Sequence, residues 1–189
     1  MEQIIELDRE LYLFLNNLGS PFWDPFWLVI TYKWTWIPLY VFLLYLIFRK
    51  YGAKGTLITA IVIALLITAS DQLANVFKHG FERPRPCRQE GVMEYARFIA
   101  VRCGSFGYFS AHASSSTGLA VFIALLLKRE YLKLPYLILI WAAVVSYSRI
   151  YVGVHYPLDV VTGMMIGALL GYLFYMLHSF LAEKFKVNF

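Results

Sequence analysis

Apolar positions along this chain run in long unbroken blocks, separated by short basic connections, and the blocks have the length of membrane spans rather than of core helices. Five of them stand out: Trp34 to Phe48, stopping at Arg49-Lys50; Gly55 to Phe77, interrupted only by Asp71; Ala111 to Leu127, closing on Lys128-Arg129; Leu134 to Ile150, with Arg149 at its end; and Val160 to Leu177, free of charge. With their flanks, each can cross about 30 Å of hydrocarbon. Backbone groups in lipid need partners within their own segment, so the blocks are predicted to be helices. Ahead of them, Ile4, Ile5, Leu7, Leu11, Leu15 and Leu18 recur at helical spacing beside Glu2, Glu6, Asp8 and Glu10. That pattern predicts an amphipathic helix lying on the membrane surface. Pro21, Trp23, Pro25 and Trp27 then read as a second interfacial segment with aromatic anchors, a sixth span over Leu11 to Thr31 being the alternative. The acidic start is the reverse of a cleavable signal peptide, so no cleavage is expected.

The expected fold is therefore all-α: a polytopic transmembrane helix bundle of five to six spans, with an N-terminal interfacial amphipathic helix and a long outer loop. One domain over 1–189 is expected, with 1–31 as the interfacial segment and 78–110 as the loop that carries chemistry. Composition supports this and excludes other classes. Hydrophobic types make up 60% of the 189 residues and charged types 15%, with 34 aromatics, against about 45–50% and 25% in ordinary soluble domains. A soluble globule of this size has too little interior to hide that surface, and a disordered tail or a disulfide-rich miniprotein would not carry it.

The net charge of +5 does not call for nucleic acid, since anionic headgroups or a phosphate substrate attract the same charge. No nucleic-acid partner is expected, and the oligomeric state is left open. The bases of the short connections (Arg49, Lys50, Lys54; Lys128, Arg129, Lys133; Lys184, Lys186) fall on one side and face only Glu130 and Glu183. That side is assigned to the cytoplasm, which puts the Lys78–Ser110 loop outside.

Three polar clusters reach the outer face by this topology. The second span ends at Lys78, followed by Arg83, Arg85 and Pro86; the third begins at Ser110-Ala111-His112; the fourth ends at Ser148-Arg149, and the fifth is introduced by His155, Tyr156, Pro157 and Asp159. Two imidazoles, a carboxylate and fixed cations at helix ends are the makings of a metal-free phosphoryl-transfer site. Cations hold the non-bridging oxygens, arginine as a two-pronged fork and lysine as a point charge. A neutral imidazole can attack phosphorus, and a second group can protonate the leaving oxygen and then activate water. His155 and Asp159 are four apart and would share a face on a continuous helical turn, with Pro157 in the first turn. The carboxylate would then fix which ring nitrogen keeps its proton. Were the third span to begin near Ser110, its first N–H groups could cradle the phosphate.

These residues resemble the three-part pattern of the type 2 phosphatidic acid phosphatase superfamily. Lys78, six residues, then Arg85-Pro86 two positions beyond Arg83-Pro84, matches the first part; Ser148-Arg149, five residues, His155, three residues, Asp159 matches the third. The middle part, usually Pro-Ser-Gly-His, reads Phe109-Ser110-Ala111-His112. The resemblance implies His155 as nucleophile, His112 as general acid and base, and Asp159 as the group that orients the nucleophile. It makes Lys78, Arg85, Ser110, Ala111 and Arg149 the phosphate holders, with no metal and no cofactor. The implied activity is hydrolysis of a lipid phosphate or diphosphate in a bacterial inner membrane, from the periplasmic face. Undecaprenyl diphosphate, lipid A phosphates, phosphatidylglycerophosphate and phosphatidic acid are the candidate substrates. A phosphotransferase using a lipid or sugar hydroxyl as acceptor keeps the site and changes the product, and a non-catalytic membrane protein is the third reading.

Other positions receive plainer expectations. Asp71 is divided evenly between a structural and a catalytic part. Arg83 and Arg88 are expected to be solvated loop charges, and His79 and His178 bystanders. Gly163, Gly167 and Gly171 recur every four residues, a stripe that lets helices approach closely within the bundle rather than in a dimer. Cys87 and Cys103 both fall on the outer loop, where an oxidising compartment would let them pair.

Overall fold

In the computed structural model, which describes residues 2–187, the helices follow the apolar blocks. They are α1 (Glu2–Asn17), α2 (Asp24–Thr31), α3 (Ile37–Phe81), α4 (Ala111–Leu127), α5 (Leu134–Tyr151) and α6 (Pro157–Lys184), with a 3₁₀ turn at Lys33–Trp36 and another at Pro86–Arg88. Among the described residues there is no β-strand, only an isolated bridge between Pro84 and Phe106. Lys33–Phe81, Leu134–Tyr151 and Pro157–Lys184 are long and apolar enough to cross a membrane, and the 17-residue α4 is a shorter apolar helix.

The 45 residues of α3 are two helices in one, broken at Gly52, whose φ of 62° and ψ of −171° are not helical. Nothing lies within 4 Å of where a Gly52 side chain would begin, so glycine serves the backbone conformation there and not a close contact. The break coincides with the basic connection at Arg49–Lys54. Lys50 ties that turn to the end of α4 through the Leu126 carbonyl at 3.0 Å and Glu130 at 2.8 Å. No continuous helix runs from Leu11 to Thr31: α1 ends at Asn17 and α2 starts at Asp24.

Helix α4 is the centre of the bundle, buried nearly all round. Its Ser-rich start is compatible with that burial because the hydroxyls bond to each other: Ser70 to Ser114 at 2.8 Å and Ser115 to Ser70 at 3.2 Å. Farther along, His178 is buried with its Nε2 2.8 Å from Thr59 Oγ1. The glycine stripe of α6 lies against α4. A Cβ on Gly163, Gly167 or Gly171 would sit 2.6, 2.2 or 2.4 Å from the carbonyl oxygens of Ser110, Ser114 and Gly118. The stripe is packing within the bundle, backbone against backbone. Gly167→Val is therefore expected to abolish the monodisperse folded peak on size-exclusion chromatography in detergent. Gly80→Ala, at a position with nothing within 4 Å, is expected to leave the peak intact.

Helix α1 turns a polar face to the protein. Asp8, Tyr12 and Asn16, one turn apart, are buried, whereas Ile4, Leu7, Leu11, Phe14 and Leu18 remain exposed. An interfacial helix has this arrangement, with its apolar face left for lipid.

Candidate active site

The site grows from the way α5 stops and α6 starts. After Tyr151 the chain needs a left-handed residue to leave the helix, and Gly153 supplies it with φ 86°; a Cβ there would lie 2.6 Å from the Arg97 carbonyl. Val154 and His155 follow in the short connection, and Pro157 opens α6 at a position where a missing N–H costs nothing. Asp159, in the first turn of α6, reaches back: its Oδ2 accepts from the Tyr156 N–H at 3.0 Å and faces His155 Nδ1 at 3.4 Å. The two residues meet through this capping arrangement. They do not share a helical face, because His155 precedes the helix.

His155 is 2% exposed and Asp159 fully buried. The His155 ring is also hydrogen-bonded to the Gly107 backbone, and a Cβ on Gly107 would come within 3.1 Å of Asp159 Oδ2. Asp159 Oδ2 lies on the Nδ1 side, which favours the tautomer with the proton on Nδ1 and leaves Nε2 for the substrate. Burial first, then the charges of Arg85, Arg149 and Lys78, hold the His155 imidazole well below its ordinary range, so the ring is neutral.

Helix α4 delivers the second imidazole. Ser110 caps it, accepting from the Ala113 N–H at 3.4 Å, while its own N–H donates to the Asp159 carbonyl at 2.9 Å. The start of α4 is therefore pinned to the start of α6. The N–H groups of Ala111 and His112 are left at the open helix end, and the Ser110 N–H is not available to a ligand. His112 is accessible, and the groups that act on it electrostatically are Arg149, His155, Lys78 and Arg85.

The expected cations converge on the same place. Arg85 is held by the Phe106 carbonyl at 2.9 Å and the Val154 carbonyl at 3.5 Å. Arg149 Nη1 bonds Thr31 Oγ1 at the end of α2, and its Nε is buried with no hydrogen-bond partner among the described residues. Neither Lys78, Arg85 nor Arg149 forms an ion pair among the described residues, the bridges there belonging to Arg9, Lys50, Arg83, Arg97 and His155. Cations gathered without an ion pair can receive an anion.

His112 also lines a cavity of about 640 Å³. Its lining is mostly apolar, with Leu43 and Ile47 from the first half of α3, Ile63 and Ile67 from the second, and Leu119 and Trp141; its polar lining residues include Thr31, Lys33, Asp71, His112, Ser115 and Ser116. Both halves of α3 line it.

Arg83 corrects an expectation. It is not a solvated loop charge: its side chain is 19% exposed and spans Asp159 Oδ1 at 2.8 Å and Asp8 Oδ2 at 2.5 Å. Arg88 is exposed, donating to the Cys103 carbonyl at 3.3 Å, and His79 is exposed, bonded to the Asn75 carbonyl at 2.8 Å. Cys87 and Cys103 are joined, closing the outer loop with a Cα–Cα distance of 6.3 Å. Sequence reasoning passed over Asp8, Thr31 and Gly107. For Asp8 the pattern was present, since Asp8, Tyr12 and Asn16 make a polar stripe on an otherwise apolar helix. Nothing in the local sequence marks Thr31.

The pattern of the PAP2 superfamily matches residues 53–182. The chain is 38% identical over 187 residues to a lipid A 4'-phosphatase of Bacteroides thetaiotaomicron, covering 97% of this chain and 80% of that protein. It is 31% identical over 188 residues to a lipid A 4'-phosphatase of Porphyromonas gingivalis, covering 97% and 78%. The crystal structure of Aquifex aeolicus LpxE superposes with a TM-score of 0.68 at 27% identity, over 87% of this chain and 92% of that one. The chain belongs to the PAP2 superfamily. It is a membrane protein and a lipid phosphatase of that superfamily.

Proposed function

We propose that the substrate is an acylated sugar phosphate of the lipid A type, cleaved to the free sugar hydroxyl and inorganic phosphate. The observation that carries this reading is the joining of an anion site to an apolar groove. Among the described residues, Lys78, Arg85 and Arg149 form no ion pair and act on His112, and His112 also lines the groove of about 640 Å³. An amphiphile fits that shape, with its phosphate at the helix ends and its chains against the halves of α3. Similarity to the two lipid A 4'-phosphatases over 97% of the chain narrows the headgroup to an acylated sugar.

The chemistry then follows from the geometry. His155 Nε2 attacks phosphorus and the P–O bond to the sugar breaks, the electron pair leaving with the sugar oxygen. In the substrate complex, where the phosphate's negative charge offsets Arg149, Lys78 and Arg85, His112 carries a proton and gives it to that oxygen. Water enters, His112 takes a proton from it, the new O–P bond forms and the P–N bond breaks, returning both imidazoles to their starting state. Asp159 keeps Nδ1–H in place throughout. Lys78, Arg85, Arg149, the Ser110 hydroxyl and the N–H groups of Ala111 and His112 hold the oxygens, so the reaction needs no metal. The whole of 1–189 works as one domain in the bacterial inner membrane, with 1–31 on the interface and 78–110 on the periplasmic side.

Purified protein in a chelator is expected to release one phosphate from bis-phosphorylated lipid A, leaving a product 80 Da lighter by mass spectrometry, about the mass of HPO₃. Release from undecaprenyl diphosphate but not from lipid A would reject the sugar headgroup. Transfer to an added lipid or sugar alcohol in place of phosphate release would reject hydrolysis.

A further inference from the structure

The buried carboxylate beside His155 is gripped from the far side by a residue outside the superfamily pattern. Arg83 places Nη1 2.8 Å from Asp159 Oδ1 and Nη2 2.5 Å from Asp8 Oδ2. Its guanidinium lies 4.3 Å from the Tyr156 ring centroid, and Tyr156 packs edge-on against Tyr12, one turn after Asp8. The other oxygen of Asp8 accepts from the Leu158 N–H at 2.8 Å. Every oxygen of both carboxylates and both outer nitrogens of Arg83 are thus committed. The row reads Asp8, Arg83, Asp159, His155, and it begins on the interfacial helix.

We propose that Asp8 is a positioning residue for the hydrolysis, acting through Arg83 on Asp159 and so on His155; this rests on the reading of His155 as nucleophile. An arginine fork prefers to take both oxygens of one carboxylate. Here it cannot, because Asp8 holds half of it, and Asp159 Oδ2 is left to His155 Nδ1 and the Tyr156 N–H. Take the Asp8 charge away and the fork is free to close on Asp159, competing for Oδ2 against an imidazole contact that is already 3.4 Å long. The full charge of Arg83 then also falls on Asp159. The carboxylate is less able to stabilise the positive charge that builds on the ring as the P–N bond forms.

Anchoring α1 does not by itself account for this carboxylate. Asn16 already fastens the helix, donating to the carbonyls of Arg97 at 3.1 Å and of Ile150 and Tyr151 at 3.0 Å, and accepting from the Arg97 N–H at 2.7 Å. Tyr12 is fully buried beside it. A carboxylate with 2% of its side chain exposed is a costly staple where a neutral residue would do.

The test measures kcat and KM on bis-phosphorylated lipid A in detergent, per folded protein by size-exclusion chromatography. The variants are Asp8→Asn, Arg83→Met and the double variant, with wild type and His155→Ala alongside. Asp8→Asn is expected to lower kcat about tenfold, as loss of a group that orients a reacting imidazole does, with KM within about twofold. Arg83→Met is expected to lower kcat at least as much, and the double variant to be no worse than Arg83→Met alone, since Asp8 acts only through Arg83. An unchanged kcat in Asp8→Asn overturns the inference, and so do losses that multiply in the double variant or a loss confined to KM. Should Asp8→Asn give no folded protein, the decision passes to Asp8→Glu, which keeps the charge. A kcat near wild type supports the inference, and a tenfold loss overturns it. An inactive wild type or an active His155→Ala would sink the underlying phosphatase reading instead, a pattern distinct from an active wild type with an indifferent Asp8.

Discussion

His155→Ala is expected to reduce lipid phosphate release by a factor of about 10⁴ or more, the scale on which loss of a covalent nucleophile acts. Its KM should change little, because the cations proposed to hold the phosphate remain. Nδ1 faces Asp159 Oδ2 at 3.4 Å, so a neutral Nε2 is the nitrogen left to bond phosphorus. Quenching wild type during turnover of ³²P-labelled substrate should trap label that is stable to base and labile to acid, as a phosphoramidate is, and His155→Ala should trap none. His112→Ala separates the two half-reactions. With a sugar ester the leaving alkoxide needs a proton, so the first step slows by about 10²–10⁴. With an aryl phosphate the leaving group departs unaided, the first step survives, and label accumulates on His155 because no base activates water. Steady-state turnover of the aryl ester by His112→Ala at the wild-type rate would remove His112 from the mechanism.

The span pattern was legible because the physics that writes it is local. Each block of apolar residues must satisfy its own backbone in lipid, so length and flanking charge mark the helices without knowledge of their neighbours. The break at Gly52 falls between the two blocks where charges interrupt them, and the α6 stripe packs as its spacing predicts because glycine is the one residue that lets carbonyls come so near. The cluster at the helix ends was legible through motif spacing. What stayed hidden was non-local. Arg83 sits in a stretch of five charges and prolines that reads as solvated loop, and nothing nearby tells that Asp8, 75 residues away, will bury it. The proximity of His155 to Asp159 was expected for a different reason, a shared helical face, where the actual cause is a side chain reaching back to cap its own helix. Thr31 lies outside every motif, and its hydroxyl matters only because α2 ends beside Arg149. Partners chosen by tertiary packing leave no trace in spacing.

Arg149 carries the second large effect. Among the described residues its Nε is a buried donor with nothing to bond, its Nη1 is fixed by Thr31, and no carboxylate neutralises it. An unsatisfied buried donor costs roughly 1–3 kcal/mol, and an anion in the pocket relieves that cost. The relief is greater when the phosphoryl group is in flight and its equatorial oxygens carry more charge than in the ground state. Arg149→Met is therefore expected to lower kcat/KM by about 10²–10³, equivalent to about 3–4 kcal/mol of transition-state stabilisation. Arg149→Lys restores the charge but not the fork, so it should recover no more than about a tenth of the loss. Thr31→Val leaves the charge in place and frees it to move, and a fall of about tenfold is expected, mostly in kcat, since orientation and not attraction is what is lost. A variant Arg149→Met with a raised KM and an unchanged kcat would show that the residue attracts the headgroup without touching the reacting phosphoryl group, and the anion site would then have to be drawn around Lys78 and Arg85 alone.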